Sequence, residues 1–63
     1  MATDEQINDY AREHWRDPWL DGGPGKGTVN DARIIYFSET TSPEGKARIR
    51  EEFTRLIAAR GAP

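Results

Sequence analysis

The chain contains no cysteine and only one histidine, and both scarcities restrict its chemistry. A chain without cysteine forms no disulfide, no thiolate metal site and no thiol nucleophile, and it fits a reducing compartment. The first ten residues, MATDEQINDY, lack a basic segment followed by an apolar one, so they do not form a signal peptide. No apolar run approaches the roughly 20 residues that span a bilayer. We therefore expect a soluble protein of the cytoplasm that makes no contact with a membrane.

Short length limits the core that the chain can build. Its 63 residues predict one small domain over 1–63, and a domain of this size buries only about 60% of the surface of the unfolded chain. Charged residues make up 32% of the sequence, but two Trp, two Tyr and two Phe set it apart from disordered chains, which are poor in aromatics. We expect most of the core to come from the aromatic residues Trp15, Trp19, Tyr36, Phe37 and Phe53.

The N-terminal segment carries a complete set of helix signals. Thr3 and Gln6 have the spacing of a capping box, and apolar residues then follow at the spacing of an amphipathic helix. Because Pro18 disfavours helical geometry in the residue before it, the first helix is predicted to cover about residues 4–16.

The C-terminal segment carries signals of the same kind. Ser42 is a favourable N-cap, and Pro43 suits the first helical position because its φ is already fixed near the helical value. Apolar residues then recur at helical spacing, at Ile49, Phe53, Leu56 and Ile57. Gly61 is a typical residue just beyond a helix, so this helix is predicted to cover about residues 43–60.

The segment between these helices fits two structures. Ile34–Phe37 has the β-branched and aromatic residues of a strand, whereas Thr28 or Asn30 would cap a helix. A strand without a neighbour leaves its backbone groups unpaired, so we favour a short buried helix over about residues 30–40. The predicted fold is therefore an all-α domain of three helices. The alternative is an α+β helix–hairpin–helix fold with a strand at about residues 32–38.

A glycine-rich loop, DGGPGKGT, is predicted over residues 21–28. It shares residues with a phosphate-binding loop, but only two residues separate Gly22 from the Gly25-Lys26 pair, where the motif has four. Pro24 also lacks the N–H that such a loop offers to a phosphate. We interpret the segment as a connector that binds no nucleotide.

The sequence contains no pattern typical of a catalytic or metal site. His14 has neither the further ligands that a metal needs nor the oriented partner that a general base needs. The neighbouring acids Glu51 and Glu52 are explained by arginines at helical spacing, and a domain of this size offers no cleft for a sugar. We expect no enzyme activity, no cofactor and no metal.

Acidic residues occupy every fourth position near the start of the chain. This acidic ladder consists of Glu5, Asp9, Glu13, Asp17 and Asp21. On a helix that rises about 1.5 Å per residue, its carboxylates lie about 6 Å apart along one face. Arg12 and Arg16 follow two of them by three residues, a pattern that is also typical of a solvated face of mixed charge.

The uneven distribution of charge indicates a charged partner. Residues 1–31 hold seven acids and three bases, a net charge of −4, whereas residues 32–63 carry a net charge of +2. We predict a small non-enzymatic inhibitor or accessory factor that docks the acidic helix and the loop onto a larger basic protein that handles nucleic acid. The candidate contacts are Asp9, Glu13, Asp17, Trp19, Asp21 and Lys26. We expect a turn at Pro18 to tuck Trp19 back onto the core, and the alternative is that Trp19 is an exposed anchor in a pocket of the partner. In size and charge, though in no motif, the chain is similar to small phage-encoded inhibitors, and its carboxylates would imitate a run of phosphates.

Two other functions fit parts of the sequence. Arg48, Arg50 and Arg55 make the last helix basic, as in a helix that binds DNA, although the net charge of −2 favours phosphate binding poorly. If Ile34–Phe37 formed an unpaired strand, that strand would let two copies of an assembly subunit associate edge to edge.

Overall fold

A computed structural model describes residues 1–19 and 27–61 of the chain. Within these residues there are three helices and no strand: α1 (Asp4–His14), α2 (Val29–Tyr36) and α3 (Pro43–Gly61). The predicted all-α, three-helix fold is confirmed, and the helix–hairpin–helix alternative is wrong. Most of the predicted glycine-rich loop, residues 21–26, lies outside the described residues.

Helix α1 begins at the predicted capping box. The Gln6 amide donates to Thr3 Oγ1 at 3.1 Å, and the Thr3 amide donates to Gln6 Oε1 at 2.9 Å. The helix ends at His14, two residues earlier than predicted. The Asp17 amide donates to the His14 carbonyl at 3.0 Å, so the chain has already turned before Pro18.

A second capping box explains why the ambiguous segment is helical. The Asp31 amide donates to Thr28 Oγ1 at 3.3 Å, and the Thr28 amide donates to Asp31 Oδ2 at 2.9 Å. Helix α2 starts at Val29 and stops at Tyr36, so it is shorter than the predicted 30–40. The box satisfies the backbone groups that open the helix.

The segments that follow α1 and precede α2 are joined by backbone hydrogen bonds. The Trp19 amide donates to the Gly27 carbonyl at 2.9 Å, and the Val29 amide donates to the Asp17 carbonyl at 2.8 Å. The Asn30 amide also donates to the Trp15 carbonyl at 3.1 Å. These bonds hold the start of α2 beside the end of α1.

Helix α3 begins as predicted and is slightly longer. Ser42 Oγ accepts the Gly45 amide at 3.0 Å, which caps the helix. Gly61 is the last helical residue, where the sequence predicted it just beyond the end.

The core lies where the three helices meet. Its buried residues are Ala2, Ile7, Ala11, Trp19, Val29, Ala32, Tyr36 and Phe53. The ring of Phe53 lies 4.8 Å from that of Trp19 and 6.1 Å from that of Tyr10, measured between centroids. Aromatic rings therefore fill the centre, as predicted for a domain of this size.

Two aromatic residues expected in the core lie at the surface. Trp15 is 47% exposed and Phe37 is 40% exposed. Trp15 is the C-cap of α1 and Phe37 is the C-cap of α2, so each lies one residue beyond the end of its helix. The short second helix, predicted to be buried, is buried on one side only: Val29, Ala32 and Tyr36 are buried, whereas Ile34 and Ile35 are exposed.

Candidate functional site

A polar network joins all three helices. Tyr36 Oη donates to Asp4 Oδ1 at 2.6 Å, and Arg50 Nε donates to Tyr36 Oη at 2.8 Å. Arg50 Nη2 completes the triangle with a 2.8 Å contact to Asp4 Oδ1. Because the Tyr36 ring is fully buried, the network fixes the mutual position of α1, α2 and α3.

The pKa values in this network are shifted by its hydrogen bonds and by burial. The bond from Tyr36, and then the bond from Arg50, lower the pKa of Asp4 below its ordinary value of 3.8. Burial, and then the bond to Asp4, raise the pKa of Tyr36. Every polar atom named here already has a partner inside the domain, so the network is structural.

The lowered pKa of Asp4 predicts an acid-sensitive fold. A carboxylate whose folded pKa is depressed contributes stability above its ordinary pKa and loses that contribution as the pH falls through the folded value. We expect the stability of the wild-type chain to decrease more steeply as the pH falls below about 4 than that of Asp4→Asn. Urea unfolding at a series of pH values measures the difference. Glu5→Gln, an exposed acid of the same turn, is the control and should keep the wild-type slope; equal slopes for all three chains would contradict the assignment.

The described part of the acidic ladder lies on the surface. Glu5, Asp9, Glu13 and Asp17 are all exposed. Glu13 forms an ion pair with Arg60 of α3, rather than the predicted pair with Arg16. The partner of this ladder carboxylate therefore comes from α3.

His14 holds a second ladder carboxylate in place. Its Nδ1 lies 3.1 Å from Asp17 Oδ2, and its ring stacks on Tyr10 with a centroid distance of 4.4 Å. The Nε2 atom is buried without a hydrogen-bond partner and lies 4.0 Å from Glu13 Oε2. Within residues 1–19 and 27–61, no three His, Cys, Asp or Glu side chains are grouped so as to hold a metal.

The remaining predicted contacts have different outcomes. Trp19 is only 8% exposed and packs on Phe53, so its predicted place in the core is confirmed and the alternative of an exposed anchor is wrong. Asp21 and Lys26 lie outside the described residues. The exposed tryptophan is Trp15, and the Arg16 guanidinium lies 4.6 Å from the centroid of its ring. The position of Trp15 near the predicted end of the first helix is the sequence signal that could have indicated its exposure.

Fewer arginines of α3 are available to contact a nucleic acid than its basic sequence indicates. Arg50 belongs to the polar network, and Arg55 pairs with Glu51 at 3.2 Å and also with Glu52. Of the three arginines proposed to contact DNA, these two are thus bonded to acids of the same domain. This arrangement weakens the DNA-binding alternative, because counterion release requires side chains that are free to neutralise phosphates.

The fold defines this protein as a small three-helix domain. Comparison of the chain with models of known families, with curated proteins and with solved structures finds no match. None of the helices, over the residues that the structure describes, is long and apolar enough to span a bilayer.

Proposed function

We propose that this protein is a non-enzymatic binding module that docks the acidic ladder of α1 onto the basic surface of a larger protein. One observation carries the proposal: Glu5, Asp9, Glu13 and Asp17 are all exposed on α1 and the turn that follows it. Complementary charge of this kind accelerates encounter and fixes the register of two surfaces.

Two carboxylates of the ladder are already held by contacts within the domain, which favours binding. The capping box fixes the start of α1, and the contacts of Glu13 with Arg60 and of Asp17 with His14 fix its C-terminal half. Side chains that are already ordered lose less conformational entropy when a partner binds. The same contacts reduce the available charge of Glu13, so Asp9 is the central binding residue.

Trp15 takes the role of aromatic anchor in this proposal. It is the C-cap of α1 and is 47% exposed. Tryptophan is enriched among the residues that dominate binding energy at interfaces, because its large ring fills a pocket on the partner. An acidic helix that ends in an exposed indole offers both charge steering and an apolar contact.

The chemistry of the ladder indicates the class of partner. A groove that binds nucleic acid is lined with basic side chains that neutralise phosphates, and regularly spaced carboxylates present the same sign of charge. We propose an inhibitor or accessory factor that acts on such a protein. The cytoplasm is the compartment we propose, because a chain without cysteine fits a reducing environment.

Charge reversal at the centre of the ladder tests the proposal. The immobilised chain is incubated with lysate of its native host, and the captured proteins are quantified by mass spectrometry. We expect the Asp9→Lys chain to recover a specific basic partner at least about tenfold less well than wild type, since a like charge in a complementary interface opposes binding. Glu39→Lys, which changes the net charge equally at an exposed site between α2 and α3, should retain the partner. Equal recovery by Asp9→Lys and wild type would remove the ladder from the binding surface.

A further inference from the structure

A second surface lies where the end of α1 meets α2. We call it the α1–α2 face and define it by Trp15, Arg16, Asn30, Arg33, Ile34 and Phe37. Its members are linked by contacts: the Asn30 amide donates to the Trp15 carbonyl at 3.1 Å, and Arg33 Nη2 donates to Asn30 Oδ1 at 3.3 Å. Arg16 lies over the Trp15 ring, 4.6 Å from its centroid.

Three large apolar side chains of this face are partly exposed. Ile34 is 54% exposed, Trp15 47% and Phe37 40%. Asn30, Ile34 and Phe37 follow one another at four and three residues, which places them along one side of α2. The core does not use these side chains, and exposed apolar groups that lie together are typical of a binding surface.

Two arginines lie at the edge of this face. Arg16 contacts the Trp15 ring and Arg33 contacts Asn30, and neither forms an ion pair with a carboxylate of residues 1–19 and 27–61. Each guanidinium is therefore available to an acidic group of a partner while its present contact keeps it beside the apolar side chains.

We propose that the α1–α2 face binds an amphipathic protein segment in which acidic residues alternate with large apolar ones. The apolar side chains of that segment pack on Ile34, Phe37 and the Trp15 ring, and its carboxylates pair with Arg16 and Arg33. This function is additional to the acidic ladder, which recruits a basic surface. Because Trp15 belongs to both surfaces, the module binds one of the two partners at a time.

Two other occupants fit this face less well. In a symmetric pair both copies contribute the same face, so neither copy supplies the carboxylates that Arg16 and Arg33 would pair with. A nucleic acid would leave the aliphatic Ile34 without a suitable contact, and the net charge of −2 opposes phosphate binding.

Selection from a random peptide display library tests the proposal on the full chain. We expect the enriched peptides to combine acidic and large apolar residues. Ile34→Ser should weaken the best of them by about tenfold, because a central apolar contact is lost. Ile35→Ser is the matched control: it removes the same side chain from α2 at 42% exposure, one residue away on another side of the helix, and should change affinity less than twofold, about the effect of a residue outside the interface.

Arg16→Glu separates charge recognition from a general loss of structure. Its side chain contacts only the exposed Trp15 ring among the interactions above, so circular dichroism should be unchanged, and affinity for the selected peptide should fall by about tenfold. Four results would each overturn the proposal: no enriched peptide, enriched peptides that are basic, equal effects of Ile34→Ser and Ile35→Ser, or tighter binding of a 20-nucleotide thymidine strand. A sedimentation mass that doubles with concentration in the wild type, but not in Ile34→Ser, would assign the face to self-association instead.

Discussion

Replacement of Phe53 by alanine is expected to remove most of the stability of the domain. The Phe53 side chain is fully buried and contacts both Trp19 and Tyr10. Truncation of a buried phenylalanine costs about 3–5 kcal/mol, and a domain of this size has a total stability of only about 3–9 kcal/mol. Thermal unfolding followed by circular dichroism should show a Tm lower by at least about 12 °C, or no cooperative transition.

Phe37→Ala is the matched control for this result. It removes the same side chain from a residue that is 40% exposed and whose ring packs edge-on against Tyr36 at 4.9 Å. We expect it to cost about 1 kcal/mol or less, because the ring is only partly removed from water. Similar losses for the two variants would mean that the core is not centred on Phe53.

Local sequence signals account for most of the fold. The capping boxes at Thr3 and Thr28 and the Ser42 cap each satisfy backbone groups through side chains no more than three residues away. Interactions this short are encoded in consecutive residues, so they can be predicted from one sequence. The choice between helix and strand for α2 also follows once the Thr28–Asp31 box is recognised.

Long-range contacts were less predictable. The Asp4–Tyr36–Arg50 network joins residues that are 32, 14 and 46 positions apart, and no local pattern encodes such a triangle. The pairing of Glu13 with Arg60 is not encoded locally either. The nearer Arg16 has the spacing of a helical ion pair with Glu13, but it lies over Trp15 instead. The exposure of Glu5, Asp9, Glu13 and Asp17 could thus be predicted, whereas the partner of Glu13 depends on how α3 packs.

The roles of the two tryptophans depend on tertiary structure in the same way. The spacing of the first helix places Trp15 on its apolar stripe, and the turn at Pro18 left Trp19 either in the core or as an exposed anchor. Backbone hydrogen bonds to Gly27 and Val29 draw the turn inward, so that Trp19 reaches Phe53, whereas Trp15 lies at the surface. Trp15, and not Trp19, is therefore the tryptophan available to a partner.

Alanine substitution of each tryptophan should therefore give opposite results in stability and binding. Trp19→Ala removes a side chain that is 8% exposed and should cost about 3–5 kcal/mol, measured as the free energy of unfolding in urea. Trp15→Ala should change that free energy by about 1 kcal/mol or less, yet reduce recovery of the basic partner in the capture experiment.

Fluorescence distinguishes the two environments without relying on stability. In Trp15→Phe the remaining indole is the buried Trp19, so its emission should be blue-shifted and poorly quenched by acrylamide. In Trp19→Phe the exposed Trp15 should emit at longer wavelength and be quenched readily, provided that circular dichroism shows the variant to be folded. Quenching of the Trp15→Phe variant as strong as that of the Trp19→Phe variant would contradict the assignment of Trp19 to the core. It would also restore Trp19 as a candidate anchor, because an indole open to acrylamide is open to a partner.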